Sequence, residues 1–574
     1  MVPTMSRPSE TEQDMKRAAE AGEMLDLSRR GDNRLRAKAI RDLLRANELD
    51  PVGIRVTSAR ITGQLDLMNV QASTSLELDE CVFDEPLLLR DTELYSLTLD
   101  GSTMPELDAE GLRTRYFGMT DARCTGLVDL DNARIDGPLL LSGSSMWSFS
   151  GVGMQVSRNV KADGLYVCAD HDGAALDLGG CEIGDLDLTG AVVVNDSGAA
   201  VTAVNARIGG TITLDHALLK ANGEGMALEL VDAAVDGVIA RWVVLRSDKG
   251  NAISFDGTHF RSLVTLADGF DLRSGAAEAA IRVVGTWFGS DLVMGGSVRA
   301  REGVALLMHK TKIEAGLALV EIAFESDTAA SAVQIADTFV AGDLDFRPDK
   351  LINHGAGHEL DLSGTDVGDS LVLNVPELIK AEFFLVAVNG LTYPEPPDDT
   401  DAWLKMLRHH TFRYHPQPYQ QLAGVHRAVG HEHTARKILI AQQDDLHDFG
   451  DPGNLLWHRF LGVTLGYGYR PSRAVAGLLV TFLLSICLVW TAGQFGGLTP
   501  AKDRPADACS PVNRISLAAD LAIPLVKFGG TPRCELANGP AGQWATGAGW
   551  VVQILGWSFA TLSVAGFTGL VRKS

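Results

Sequence analysis

The sequence predicts a mainly β protein: a right-handed parallel β-helix, or solenoid, tethered by two C-terminal transmembrane helices. Between positions 173 and 380 one unit recurs eight times at intervals of roughly 25 to 28 residues, clearest in AALDLGGCEIGDLDL, NAISFDGTHFRSLVTL and HELDLSGTDVGDSLVL. Ahead of it, pairs such as Leu65/Leu67, Leu76/Leu78, Leu87/Leu89 and Leu97/Leu99 return at a shorter step of roughly 10 to 11 residues. Near the end of the chain two long runs carry no charge. Alternation of period two marks a strand with one face inside, and a uniform repeat means that each unit buries this face on the next. The 574 residues exceed what one compact core organises, and 60 glycines with only 6% aromatics suit repetitive β structure.

Residues 1–50 form the predicted helical cap. A stack of coils has an unpaired edge at each end, and solenoids cover such edges. Ser9-Glu10-Thr11-Glu12 matches a capping box, MKRAAEAGEMLDL continues as helix to the break at Gly31-Asp32-Asn33, and RLRAKAIRDLLRAN is a second helix. The seven basic residues between Arg29 and Arg45 read as a solvated helix face that balances the acid of the rod.

Residues 51–390 are the β-helix. Early in it a pair of the short steps makes one coil; the later coils lengthen to the longer repeat. Gly63, Gly101, Gly126 and Gly137 are read as turn residues free to adopt positive φ. About a dozen coils stacked at ~4.8 Å give a rod on the order of 60 Å. Asp66, Asp129, Asp177, Asp187, Asp345 and Asp361 fall between apolar neighbours, which makes them solvent-facing strand positions. This region is strongly acidic: residues 51–400 hold 24 Lys and Arg against 53 Asp and Glu, a net of −29. Such a surface repels phosphates, so nucleic acid is not an expected partner.

A Pro- and Asp-rich linker, LTYPEPPDDT, ends the repeats, and residues 400–450 read as helices, with YQQLAGVHRAVGHEHTARKILIAQQDDL a hairpin turning at Gly430. Its spacing is similar to a single tetratricopeptide-like hairpin, expected to dock on the end of the rod. Residues 473–572 form the membrane domain, with spans at about 474–492 and 549–571 and an outer loop between them. Each uncharged run is long enough to cross a hydrocarbon layer of about 30 Å. Arg459, Arg470 and Arg473 before the first span, with Arg572 and Lys573 after the second, place both ends in the cytoplasm. The loop's own Lys502, Arg504, Arg514, Lys527 and Arg533 weigh against that orientation without reversing it. The expected location is therefore the cell membrane, multi-pass, with the rod and both termini cytoplasmic. In that orientation Cys509 and Cys534 lie in an oxidising compartment as a candidate disulfide, whereas Cys81, Cys124, Cys168 and Cys181 remain free thiols.

The opening GIRVTSARITGQLDL, the LxL coils, the YQQLAGVHRAVGHEHTARKIL hairpin and the closing GWSFATLSVAGFTGLVRK together resemble an actinobacterial family of membrane-anchored β-helix proteins, over nearly the whole chain. Members are commonly labelled membrane-associated oxidoreductases, and the rod is distantly similar to pentapeptide-repeat proteins. The resemblance implies a tethered rod and, through the label, redox activity. It brings no catalytic motif to positions of this chain, and the long later coils depart from a pentapeptide pattern.

Redox chemistry needs a bound group, and the motifs that hold one are missing. Gly151-Val152-Gly153 and Gly466-Tyr467-Gly468 lack the third glycine of a dinucleotide loop, and there is no P-loop, no C-x-x-C and no haem-attachment string. No cofactor is expected. Eight of the fourteen histidines lie between His409 and His458, and His409, His410, His431 and His433 are the candidate metal ligands. His431 and His433, two apart, point to different helix faces, so packing or surface roles are the better reading. A polysaccharide-cleaving β-helix would concentrate its carboxylates, whereas these recur regularly. NRISLAADLAIPLVKFGG, between the spans, reads as a short re-entrant or interfacial helix without a selectivity-filter string, and Gly556, Ala560, Ser563 and Gln553 suggest helix packing by the second span.

These readings favour a scaffold or protein-interaction surface over an enzyme. The expected partners are the lipid bilayer and a protein, or a second copy through self-association. A membrane-associated oxidoreductase is the alternative, and an oligomeric pore or sensor gated by the rod is the second alternative.

Overall fold

The computed structural model describes residues 9–46, 49–380, 384–448, 472–501, 509–523 and 533–567. The chain divides into two compact units, Met1–Arg413 and Tyr414–Ser574. Arg459, Arg470, Arg572, Lys573, Lys502, Arg504 and Lys527, on which the orientation argument drew, lie outside the described residues, as does His458.

In the first unit, helix α1 (Glu10–Ala21) opens on the expected capping box: the Glu12 amide donates to Ser9 Oγ at 3.2 Å, and the Ser9 amide to Glu12 Oε2 at 3.0 Å. It stops earlier than expected, because Gly22 turns left-handed (φ 68°). Leu25–Asp26 then pairs with Ile54–Thr57, and Arg34–Arg36 with Arg60–Thr62, before α2 (Ala37–Ala46) begins. GEMLDL and RLR are thus coil strands rather than helix. Leu25, Leu27 and Leu35 are buried at alternating positions, a period that fits a strand column.

Beyond this the chain winds as a parallel β-solenoid of about 13 turns. One side is a 13-stranded parallel sheet from Leu87–Leu88 to Val386–Ala387, and the other sides form a sheet of 36 strands. The register reproduces both repeats. Leu76 pairs with Leu97, Leu97 with Phe117 and Phe117 with Leu139, so each early coil takes a pair of the short steps. Val201 pairs with Leu228, Leu228 with Ile253 and Ile253 with Ile281, so each later coil takes the longer repeat. The step up comes where Phe149 pairs with Leu176. The inward leucines named from the sequence are buried throughout, Leu65, Leu67, Leu76, Leu78, Leu87, Leu89, Leu97 and Leu99 among them.

The glycine turns divide. Gly63 and Gly101 have φ of 77° and 64°, as expected. Gly126 and Gly137 do not have positive φ; there a Cβ would lie 2.6 Å from the Pro105 carbonyl and 2.1 Å from that of Arg115, so close packing of successive coils is what demands glycine. Other left-handed corners are taken by Asn69, Asp91, Asp121, Asn132, Asn205 and Asp232, residue types that tolerate this region.

The solenoid's last coil packs against α4 (Thr400–His409), which follows the short α3 (Val375–Leu378). The Val386 amide donates to the His410 carbonyl at 2.7 Å, and the Tyr393 and Trp403 rings stand 5.4 Å apart. The segment read as one linker over 400–450 is therefore shared between units. In the second unit α5 (Pro416–Ala428) and α6 (Glu432–Asp448) form the hairpin, with Gly430 at φ 84° in the turn. Helices α7 (Ser472–Gln494) and α9 (Pro540–Phe567) are both long and apolar enough to cross a membrane. The helix of the second predicted span thus begins well before 549. Between them lie α8 (Pro511–Ala522), an antiparallel pair of strands (Leu498–Pro500 with Cys534–Leu536) and a disulfide joining Cys509 to Cys534.

Candidate functional site

The longer coils carry an additional corner, and the residues that build it also build an outward face. In four successive such coils a four-residue strand alternates out, in, out, in: Val192–Asn195, Leu218–Ala221, Val244–Ser247 and Asp271–Ser274. The fourth position points inward below the extra loop, and the column there is small or polar: Ala169, Asn195, Ala221, Ser247 and Ser274 pair in succession. Buried Asn195 donates through Nδ2 to the carbonyls of Gly173 and Ala199 at 2.7 and 2.9 Å, and its Oδ1 accepts from the Ser197 amide at 3.1 Å. Asn353 repeats this motif near the far end of the wide coils, with Nδ2 on the Ala330 and His358 carbonyls and Oδ1 taking the Thr328 and Gly355 amides. Buried polar groups satisfied in this way hold a loop in one conformation.

The third position of the last three of these strands, and the matching position of the strand Leu292–Ala300 that follows, points outward and holds a cation on four successive coils. Lys220 pairs with Arg246, Arg246 with Arg273 and Arg273 with Arg299. At about 4.8 Å per coil the four charges span roughly 14 Å. Like charges in register repel, and two carboxylates offset some of this. Asp271 contacts Arg246 at 2.6 Å and Arg273 at 3.8 Å; Glu325 contacts Arg299 at 3.8 Å, Lys350 at 3.3 Å and His354 at 3.1 Å. Burial raises Asp271, but the Arg246 guanidinium outweighs it and leaves that carboxyl below its ordinary range. His354 and then Lys350 hold Glu325 below its ordinary range. Lys220 has no ion-pair partner among the described residues, and the Arg273 and Arg299 side chains stay 53% and 52% exposed. Half-buried Val192, Leu218 and Val244 form an apolar column beside the ladder. The face can therefore bind an extended segment bearing carboxylates on one edge and apolar groups on the other.

Sequence reasoning missed this ladder. Its signal was available: the four cations recur at the period of the coil, visible once the repeat is applied to charge as well as to leucine.

The residues singled out from the sequence have other surroundings. His410 is buried and its Nδ1 donates to the Phe384 carbonyl at 2.8 Å, a packing role at the end of the rod. His409 is exposed beside it, while exposed His431 and His433 lie in the other unit. Among the described residues no group of three or more His, Cys, Asp or Glu could hold a metal ion. The outward aspartates are half-buried rather than fully solvent-facing. Asp66, Asp129, Asp177, Asp187 and Asp361 each accept through Oδ1 from the amide two residues on, closing the corner behind the strand. Asp345 instead grips Arg347 at 2.5 Å. Burial raises the carboxyls of Asp129 and Asp177. Burial likewise pushes the thiols of Cys81 and Cys181 up to about 12 and that of Cys124 to about 11, so all three are poor nucleophiles at neutral pH, whereas Cys168 is exposed.

A scan against protein-family models finds no match, and searches of curated proteins and of solved structures find no similar chain.

Proposed function

We propose that this chain is an integral membrane protein whose acidic, right-handed β-helix stands in the cytoplasm as a scaffold and docks a protein along the Lys220, Arg246, Arg273 and Arg299 ladder. The single observation that supports this most is the ladder itself: four cations in register on successive strands, with fewer carboxylates than charges around them. A stacked β surface offers a linear array at fixed pitch, which suits an extended acidic segment of a partner. In this reading α1 and α2 cap the first coil, and α7 and α9 span the membrane with their outer ends on the side of the disulfide. Exposed Leu479, Val480, Leu483 and Leu484 on α7, with Trp550, Val551 and Ile554 on α9, would face lipid.

The test is proximity crosslinking in intact cells with the wild-type chain and with a triple charge reversal, Arg246→Glu, Arg273→Glu and Arg299→Glu. One dominant crosslinked protein that disappears in the variant supports docking at the ladder; a crosslinking pattern that the reversal leaves unchanged removes it. The family resemblance points to a different class, a redox enzyme. An absorbance spectrum of detergent-purified protein separates the two, since a stoichiometric flavin or haem band favours the enzyme over the scaffold.

A further inference from the structure

Within the cation ladder, the pair Arg273 and Arg299 lies between two carboxylates that are both committed elsewhere. The Asp271 oxygen that stands 3.8 Å from Arg273, Oδ2, is the one that accepts from Arg246 Nη2 at 2.6 Å. Glu325 follows Arg299 in register, yet its Oε1 lies 3.1 Å from His354 Nε2 and its Oε2 accepts from Lys350 Nζ at 3.3 Å, so Arg299 is left at 3.8 Å. The two guanidiniums stand on adjacent paired strands, about 4.8 Å apart at the backbone. Neither donates a hydrogen bond among the described residues. Ser297 shares the face: it and Arg299 flank buried Val298 on one strand, both pointing outward. It pairs with Asp271 on the coil before and with Ala323 on the coil after, and its hydroxyl makes no hydrogen bond among the described residues.

Charge decides what such a notch accepts. Arg246, Arg273, Arg299 and Lys350 are four cations in contact with two carboxylates, Asp271 and Glu325, which leaves two positive charges in excess. A carboxylate would cancel one of them, whereas a phosphate monoester, at about −1.5 to −2 near neutral pH, cancels both. Its three terminal oxygens can also take two guanidiniums and a hydroxyl at once, and the planar guanidinium fork matches phosphate bidentately. Beyond about 10 Å salt screens the acid of the rod, so the near charges govern the binding of a single phosphoryl group.

We propose that Arg273, Arg299 and Ser297 form a phosphoryl-binding notch, and that the partner segment docked on the ladder carries a phosphorylated side chain at this point. The inference rests on the docking reading above and narrows it: the partner binds when phosphorylated and is released when the phosphate is removed.

The test is fluorescence anisotropy with the full chain in detergent and a short labelled peptide alternating Asp and Val, carrying phosphoserine or Glu at its centre. The phosphoserine peptide should bind wild type about tenfold more tightly than the Glu peptide, since charge-assisted bonds to two guanidiniums replace those to one carboxylate. Arg273→Gln or Arg299→Gln should bring the two affinities together, and Ser297→Ala should narrow the ratio several-fold. Lys220→Gln, outside the notch, should weaken both peptides alike and leave the ratio unchanged. Equal affinities in wild type, both lost on the triple charge reversal, overturn the notch and leave docking at the ladder standing. Binding of neither peptide overturns both. Displacement of the phosphoserine peptide by an equal concentration of inorganic phosphate makes this a site for free phosphate and overturns the phosphorylated segment.

Discussion

The rod's two halves solve one problem with different amounts of chain. From Ile54 to about Val160 a coil is short, as from Leu97 to its partner Phe117; from Leu176 onward it is long, as from Val201 to its partner Leu228. The extra residues go into one added corner, so they widen the section without lengthening the rod. The core records the difference. The largest fully buried side chains of the narrow half are Phe117 and Phe149, whereas the wide half encloses Phe255, Phe260, Phe270, Phe288, Phe324 and Phe346. A wider section has more interior volume per coil, and aromatic rings fill it at native density. The same widening frees a fourth strand position to staple the corner loop, and it is on those strands that the cation ladder stands. The candidate binding face therefore came with the extra corner.

The largest effect expected is on this core. Phe260 packs face to face on Phe288 at 5.0 Å, with the edge of Phe255 against it. Phe260→Ala should cost about 3–5 kcal/mol, against about 2–5 kcal/mol for Leu97→Ala in the narrow half. Denaturant unfolding of the Met1–Arg413 unit within the full chain reads both, and a smaller loss at Phe260 than at Leu97 would mean that the wide core is loosely filled. The added corner should come next. A Cβ at Gly198 would lie 1.9 Å from the Gly173 carbonyl, so Gly198→Ala should cost about 1–3 kcal/mol as the stacked loops are forced apart. Gly180, with nothing within 4 Å of its Cβ position, is the matched control; Gly180→Asn should be close to neutral, since Asn accepts the left-handed backbone. Equal losses at the two glycines would show that conformation, and not close stacking, governs the corner.

The smallest effect is electrostatic and separates the halves by the number of carboxylate neighbours. Burial raises both Asp129 and Asp177; the Asp131, Asp108 and Glu110 carboxylates add to it at Asp129, whereas Asp131 alone does so at Asp177. Asp108 pairs in register with Asp129, whereas Asp177 pairs with Ser150 and Thr202. A carboxyl raised in the folded state holds its proton more tightly there than in the unfolded chain. Its favourable contribution is therefore complete below the ordinary Asp range, near pH 4, and is lost as pH rises through the folded value. Asp129→Asn and Asp177→Asn keep the Oδ1 acceptor and should each stabilise the protein at neutral pH by less than about 1 kcal/mol, a gain that fades toward pH 4. The gain at Asp129 should be the larger and the more salt-sensitive. Thermal melts at two ionic strengths read this, and a gain that grows as pH falls would contradict the assignment.

Most of the solenoid was legible because its leucines repeat with the period of the coil. The inward column is apolar and local alternation fixes which side each residue takes, so Leu76/Leu78 and Leu97/Leu99 need no tertiary information. The capping box at Ser9 and Glu12 is equally local. What was not legible depends on neighbours one coil away. Gly126 and Gly137 looked like turn glycines, yet the need for them comes from the Pro105 and Arg115 carbonyls on the preceding coil. GEMLDL looked helical because Glu23, Met24 and Leu25 are good helix formers, but Gly22 ends the helix and pairing with Val56 decides the rest. The cation ladder escaped notice because charge was totalled over the rod, which is acidic, and not sorted by register.

Added residues can either widen a coil or lengthen the rod, and the distance between labelled coils tells which. Val82 and Tyr166 lie on one strand column four coils apart, through Thr103, Arg123 and Ser145. Val192 and Ser297 lie on the same column, again four coils apart but with a longer stretch of chain between them, through Leu218, Val244 and Asp271. Spin labels at Val82→Cys with Tyr166→Cys, and at Val192→Cys with Ser297→Cys, in a background with exposed Cys168 and Cys487 replaced by Ala, give the two distances by electron–electron dipolar spectroscopy. Both should peak at about 19 Å between backbones, four coils at ~4.8 Å, with narrow distributions. A longer distance for the second pair in proportion to its chain length, or a broad distribution for either, would contradict the stack.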